Sequence, residues 1–274
     1  MDERVQTLDS PRLVAALEAN LEEEMMSFGR GLSGGEIYND GEIEGFFTGR
    51  AYLNGILRTH MKERKADYVE GRIQAVKRYF QEKGVNKMGW SVGKDCQPAN
   101  MAAYLKRQGF RGLNDENIGM ALDNETMRVE EEEVQGLEIR EVEDLEGLKV
   151  LRRLEIEGFG SSVEMAQNYF EMYAGVGFGP GTVWRHFSGW LREKPVASAS
   201  LLFHAGVAGI YGVATIPEAR RQGIARAMVL RTIREARQEG YRIVILSPTE
   251  MSEGIYRRLG FREYTRIRHY TCSL

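Results

Sequence analysis

Arg220-Arg221-Gln222-Gly223-Ile224-Ala225 is the stretch whose reading decides the fold. Before it lies an apolar run, Ile210-Tyr211-Gly212-Val213-Ala214-Thr215-Ile216. After it, from Ile224, the apolar residues recur at helical spacing. A strand therefore enters a tight turn that opens directly into a helix. Such a turn leaves several backbone N–H groups unpaired at the positive end of the helix dipole, which suits a phosphate. Gly223 lets the backbone approach an anion without a Cβ in the way. Arg220, Arg221 and Arg226 add positive charge.

The six residues are not a dinucleotide fingerprint of the Gly-x-Gly-x-x-Gly type, and no Gly-Lys-Ser/Thr follows as a P-loop requires. Arg-x-x-Gly-x-Ala between a strand and an amphipathic helix resembles the pyrophosphate loop of the GNAT superfamily of N-acetyltransferases. Residues after the loop extend the resemblance. The helix from Ile224 reaches about Gln238 and is stopped by Gly240, a residue suited to a left-handed cap. Arg242 to Leu246 is a β-branched apolar run, hence a buried strand. Met251 to Leu259 is a short helix ending in Tyr256-x-x-x-Gly260-Phe261, and Phe261 to Thr271 is a last strand.

The order upstream agrees. Leu137 to Val142 reads as a short strand. Asp144 to Glu157 has helical spacing at Leu145, Leu148, Leu151 and Leu154. Ser161 to Tyr173 is a second helix capped by Ser161 or Ser162. Thr182 to Trp190, Val196 to Phe203 and Gly206 to Ile216 are strands, the last two joined at Ala205-Gly206. The expected fold is α+β: a mixed, mainly antiparallel sheet flanked by helices, with a complete GNAT domain over residues 129–274.

Residues 1–128 carry a partial echo, expected to be a degenerate GNAT-like domain. Tyr68 to Lys83 is a helix with Val69, Ile73, Val76 and Phe80 on one face, followed by a strand at Lys87 to Val92. The helix Asn100 to Gln108 then ends Leu105-Lys106-Arg107-Gln108-Gly109-Phe110, parallel to Tyr256-Arg257-Arg258-Leu259-Gly260-Phe261. These blocks read either as a tandem repeat or as two common amphipathic patterns. No Arg-x-x-Gly-x-Gly/Ala precedes the first helix, and Leu105 stands where the second block has Tyr256. Asp123 to Gly136, with Glu130-Glu131-Glu132-Glu133, reads as a surface connection or as the polar end of a strand.

Composition excludes several classes. Hydrophobic content of 42% and charged content of 28% in 274 residues are those of a globular chain. A net charge of −3 gives no electrostatic case for nucleic acid or an anionic membrane. No apolar run approaches the ~18 residues that span a bilayer. Cys96 and Cys272 match no metal or redox spacing, and His60, His186, His204 and His269 are scattered, so no metal site is expected. With the charged start Met1-Asp2-Glu3-Arg4, these features imply a cytoplasmic protein, expected as a monomer or homodimer.

The resemblance implies acetyl-CoA as cosubstrate and a primary amine as acceptor. It implies that Val213, Ala214 and Thr215 pair with the pantetheine arm like an added strand. Arg221, Gln222, Gly223, Ile224, Ala225 and Arg226 then hold the pyrophosphate. Tyr256 matches the tyrosine that protonates the departing thiolate; the alternative is a helix tyrosine packed in the core. The family's asparagine seven residues before that tyrosine is Thr249 here, a departure that leaves that pantetheine contact open. The general base is not visible, because residues 196 to 216 contain no Asp or Glu. His204 reads as structural, and Glu250 and Glu253 as solvated. Trp184, His186, Phe187, Trp190, Phe170 and Tyr173 either wall an acceptor pocket or fill the core. The competing functional reading is a non-catalytic acyl-CoA-binding or regulatory protein that keeps the loop without turnover.

Overall fold

The computed structural model describes residues 4–127 and 134–274. The amino-terminal half runs α1 (Leu13–Gly31), β1 (Glu36–Asn39), β2 (Ile43–Phe47), β3 (Gly55–Thr59), α2 (Ala66–Glu82), β4 (Lys87–Val92), α3 (Met101–Arg107) and β5 (Arg111–Asp123). The carboxy-terminal half opens with β6 (Leu137–Glu141) and α4 (Leu145–Leu154). It continues with α5 (Val163–Val176), β7 (Trp184–Leu191), β8 (Lys194–His204), β9 (Val207–Thr215), α6 (Ile224–Gln238), β10 (Ile243–Leu246), α7 (Glu253–Arg258) and β11 (Arg262–Ser273). From α5 onward the order is helix, three strands, helix, strand, helix, strand, and α1 to β5 follow the same order. The echo between the Gly-Phe blocks is therefore part of a longer structural repeat.

All strands join one sheet in the order β1-β2-β3-β4-β11-β5-β10-β9-β8-β7-β6. Neighbours are antiparallel except β3 with β4 and β9 with β10. The last strands of the two halves are exchanged at the centre. β5 lies between β10 and β11, and β11 lies between β4 and β5. Each half thus supplies a strand to the other's sheet.

Two expectations change at element ends. Asp123 is not the start of a surface connection. It closes β5, is buried, and receives Arg242 Nε at 3.0 Å and a second guanidinium nitrogen at 2.8 Å. The Glu130–Glu133 run lies outside the described residues. The helix expected to Glu157 ends as α4 at Leu154 and loosens into a π-turn, Glu155–Phe159, which Gly160 closes at φ 77°. Of the two cap candidates it is Ser162 that accepts from Met165 N at 3.1 Å.

Alternation along β8 builds two layers. Ala197, Ala199, Leu201 and Phe203 pack under α6 with Met228, Val229 and Ile233. Leu202 joins Trp184, Val207 and Tyr211 on the opposite face, under α1 and α5. The helix α1 is locked to that face by polar contacts. The Asn20 amide donates to the carbonyls of Leu202 and His204, each at 3.1 Å, and accepts from the Tyr211 hydroxyl at 2.8 Å. A Cβ on Gly31 would lie 2.4 Å from the Met172 carbonyl oxygen, so only glycine permits this crossing of α1 and α5. A helix from the first half is thereby built into the second.

Candidate active site

A wedge opens between β9 and β10. The two pair at only three positions, Ala208 with Val244, Gly209 with Ile245 and Ile210 with Leu246. Tyr211 to Thr215 then run on without a strand partner on that side. On the other side β9 stays bonded to β8, with a bulge opposite Ser198 and Ser200. Gly212 forms it at φ +57°, a left-handed geometry that glycine adopts freely, and its carbonyl accepts from Ser198 Oγ at 2.9 Å. Val213, Ala214 and Thr215 therefore lie along an edge with no strand partner, where the Thr215 carbonyl is held by Arg220 Nε. Thr215 Oγ1 is buried with no hydrogen-bond partner among the described residues.

The edge runs into the anion loop. A short 3₁₀ turn, Pro217–Ala219, leads to Arg221 at φ +61° and Gly223 at φ +79° and ψ −5°, the cap of α6. Among the described residues the N–H groups of Arg221, Gln222, Gly223, Ile224 and Ala225 donate to no protein acceptor. These are the unpaired donors that a helix amino terminus offers an anion. A Cβ on Gly223 would have one neighbour within 4 Å, Val134 Cγ2 at 3.4 Å, so the cradle is open. The Arg220 guanidinium binds the Thr215 carbonyl at 3.1 Å and the Gly158 carbonyl at 2.9 Å. It ties the loop to the π-turn.

Tyr256 lies on α7, buried in the same cluster as Ala219, Ile224 and Leu246. Its ring meets Phe261 edge-on at 5.8 Å. The hydroxyl has no hydrogen bond among the described residues, and burial pushes the phenol up to about 12. It remains a proton donor throughout the neutral range. Thr249 is used locally: its Oγ1 and N lie 2.9 and 3.0 Å from Ser252 Oγ, shaping the entry to α7.

On the α4–α5 face of β8 and β9 a small pocket reaches the bulge, lined by Glu155, Tyr169, Phe170, Tyr173, Ser200 and Gly212 among others. Two of the aromatic candidates, Phe170 and Tyr173, wall it. Trp184, His186 and Phe187 are core. His186 Nδ1 lies 2.8 Å from Ser200 Oγ, and burial drives its pKa down to about 3, so it stays neutral. Trp190 stacks under the Arg140 guanidinium at 4.6 Å. Sequence reasoning missed the acids here. Glu155 sits on the π-turn and lines this pocket, and Glu24 lies on α1 of the other half. Burial raises both carboxyls, that of Glu24 to about 7.

The amino-terminal half has the matching wedge, and its edge is taken by the chain itself, leaving a small pocket lined by Glu18, Thr59, Gly93 and Cys96. β3 and β4 pair only at Gly55 with Gly89 and Ile56 with Trp90. Beyond them the chain's own Gln97 takes the free edge, its N–H donating to the Thr59 carbonyl at 2.8 Å and its carbonyl accepting from Met61 N at 3.0 Å. The carboxylate of Glu18 occupies the space beneath, accepting from Lys94 N at 2.8 Å and Asp95 N at 3.1 Å. Leu105, at the place of Tyr256, is fully buried.

Comparison with known proteins agrees with this fold. Residues 204–264, from the end of β8 to the start of β11, match the family model described as "Acetyltransferase (GNAT) domain". No curated protein sequence matches the chain. Solved structures do, over nearly its whole length. A GCN5-related N-acetyltransferase from Kribbella flavida superposes with a TM-score of 0.73 at 16% identity, covering 96% of each chain. One from Sphaerobacter thermophilus gives 0.66 at 17% identity over 98% of this chain and 94% of that one. A tandem GNAT protein from the clavulanic acid biosynthesis pathway gives 0.65 at 13% identity over 97% and 96%. The chain has the GNAT fold of these N-acetyltransferases, and its carboxy-terminal half carries the superfamily's sequence match.

Proposed function

We propose that the chain is an N-acetyltransferase that moves an acetyl group from acetyl-CoA directly to a primary amine. The single observation that carries this is the continuity of the unpaired β9 edge, Tyr211 to Thr215, with the five unpaired N–H groups of Arg221 to Ala225. Val213, Ala214 and Thr215 bind the pantetheine amides as an added strand. The loop from Arg221 to Arg226 takes the pyrophosphate. Bound there, acetyl-CoA supplies an activated acyl group on sulfur. Tyr256 gives its proton to the sulfur as the C–S bond breaks. The amino-terminal half binds no CoA, because Gln97 and Glu18 stand in its wedge. The protein acts in the cytoplasm on an amine, as a monomer or homodimer, without nucleic acid or membrane.

Release of CoA thiol from acetyl-CoA, with slow hydrolysis subtracted, tests this across a panel of primary amines. Amine-dependent release supports it. Tight CoA binding with no release in any case would favour a non-catalytic acyl-CoA-binding protein.

A further inference from the structure

Arg152 on α4 lines the pocket that reaches the β9 bulge, and it is the one cation among the described residues that does so. No carboxylate among them pairs with it. Its neighbour Arg153 is taken by Glu157 at 2.7 Å, and Glu155, the acid of the pocket, accepts from Ser161 Oγ at 2.6 Å instead. Arg152 Nη1 donates to Gln167 Oε1 at 2.6 Å, and the guanidinium carbon lies 5.6 Å from the centre of the Phe170 ring. One nitrogen and one face are thus held, while Nε and Nη2 donate to no acceptor among the described residues. Those two nitrogens form the side-on edge of a guanidinium, which matches the two oxygens of a carboxylate. Arg242 uses the same edge on Asp123, with Nε at 3.0 Å from one oxygen and Nη2 at 2.8 Å from the other.

The amino-terminal half sets the pose of Arg152 through a relay of hydrogen bonds. The Gln167 amide has only one orientation that serves both its neighbours. Its Nε2 donates to Glu171 Oε1 at 2.9 Å, so its oxygen faces Arg152. The other oxygen of Glu171 accepts from Arg50 Nη2 at 2.7 Å. Arg50 belongs to the loop between β2 and β3. Its carbonyl accepts from Asn54 Nδ2 at 2.8 Å, and Asn54 Oδ1 accepts from Thr48 N at 2.8 Å, with Asn54 and Thr48 both buried. From the same loop, the Tyr52 hydroxyl donates to Glu164 at 2.6 Å and accepts from Asn168 at 3.3 Å. Residues 164, 168 and 171 share one face of α5, so the loop grips that helix over two turns.

We propose that Arg152 binds a carboxylate carried by the acceptor, which makes the substrate class an amino acid or another aminocarboxylate, and that Arg50 of the amino-terminal half positions Arg152 through Glu171 and Gln167. The proposal rests on the transferase reading above. A carboxylate suits the pocket better than a phosphate. One guanidinium matches one negative charge, and Glu155 in the same pocket opposes a dianion. Phe170 and Tyr173 wall the carbon chain between amine and carboxylate. The first half then acts on the choice of acceptor.

The test measures kcat and KM with acceptors in pairs that differ by the carboxylate alone: phenylalanine with 2-phenylethylamine, and γ-aminobutyrate with propylamine. CoA affinity and melting temperature check that each variant is folded. Wild type should favour the carboxylate-bearing member of a pair. Arg152→Gln should lower the ratio of the two kcat/KM values by on the order of 10- to 10²-fold, mainly through KM, which is the worth of a charge-assisted bidentate contact. Arg152→Lys keeps the charge without the fork, so its ratio should fall between. Arg50→Gln should lower the same ratio about threefold or more, Arg50→Lys should restore part of it, and Arg50→Gln should add nothing in the Arg152→Gln background. A wild type that prefers the plain amines, or a ratio that Arg152→Gln leaves unmoved, would overturn the proposal while leaving the transferase reading standing. An Arg50→Gln loss that is equal for both members of a pair, or additive in the double variant, would overturn the positioning role of Arg50. No amine-dependent thiol release by wild type with any acceptor would overturn both the proposal and the transferase reading.

Discussion

Replacing Tyr256 with phenylalanine removes one oxygen and leaves the ring on Phe261. The hydroxyl makes no hydrogen bond among the described residues, so no protein acceptor is stranded by its loss. Stability should stay within about 0.5 kcal/mol of wild type, the range for substitutions that break no buried partner. The phenol, pushed up to about 12, is protonated at every usual assay pH. It can act as acid and hydrogen-bond donor only. Its removal should lower kcat by on the order of 10²-fold, or about 2.7 kcal/mol of transition-state stabilisation. KM should barely move, because the partner of the phenol appears only as the thioester breaks. Melting temperature and kcat are measured on one preparation with a working amine. Full activity in Tyr256→Phe refutes the role. A fall in melting temperature with an intact rate per folded molecule would make Tyr256 a core residue instead.

Three further outcomes follow from particular contacts. Gly223→Val forces a β-branched residue to φ +79°, at a cost of roughly 1–2 kcal/mol, and puts methyl groups into the anion cradle; CoA affinity by calorimetry should fall at least tenfold in a protein that still folds. His186 is neutral when folded, with its pKa lowered to about 3, whereas the unfolded chain takes up a proton near 6.5. The stability from this site is therefore complete above about pH 6.5 and is lost as pH falls toward 3, by up to about 1.4 kcal/mol per unit. Urea melts of wild type and His186→Gln should diverge in pH slope over that window. Asn20→Ala removes the amide donor to the carbonyls of Leu202, His204 and Val207, while the Tyr211 hydroxyl keeps the backbone carbonyl of residue 20, so the denaturant midpoint should drop by the equivalent of about 1–3 kcal/mol; a midpoint within about 0.5 kcal/mol of wild type would mean that α1 is not seated as described.

The carboxy-terminal elements were legible because each announces itself locally. Gly240 and Gly260 stop helices, Ile243 to Leu246 is an uninterrupted buried run, and the Arg-x-x-Gly-x-Ala turn joins a strand to a helix. The first half hid for equally local reasons. The helix α1 buries Glu18, Asn20 and Ser27 beside its leucines, so its inward face does not read as apolar. Strands β1, β2 and β3 are four or five residues long, with Gly45 and Gly55 where the chains come close. The exchange of β5 and β11 is a long-range pairing that no window of sequence contains. The candidate donor side was legible as backbone in one continuous stretch, 211–226, which needs no long-range contact to recognise. The acid of the acceptor side, Glu155, was not, since the π-turn that carries it reaches the β9 bulge only in the fold. That Arg220 also ties the loop to the carbonyls of Thr215 and Gly158 could not be read, because the π-turn meets β9 only in the fold.

The central claim is that one wedge of this double fold is open to acetyl-CoA and the other is closed by the chain itself. A calorimetric titration of the full chain with acetyl-CoA measures both at once. The account predicts saturation at one equivalent per chain, with heat that is lost in Gly223→Val and kept in Leu105→Tyr. Binding of two equivalents would contradict the closed amino-terminal wedge, and no binding at all would contradict the site.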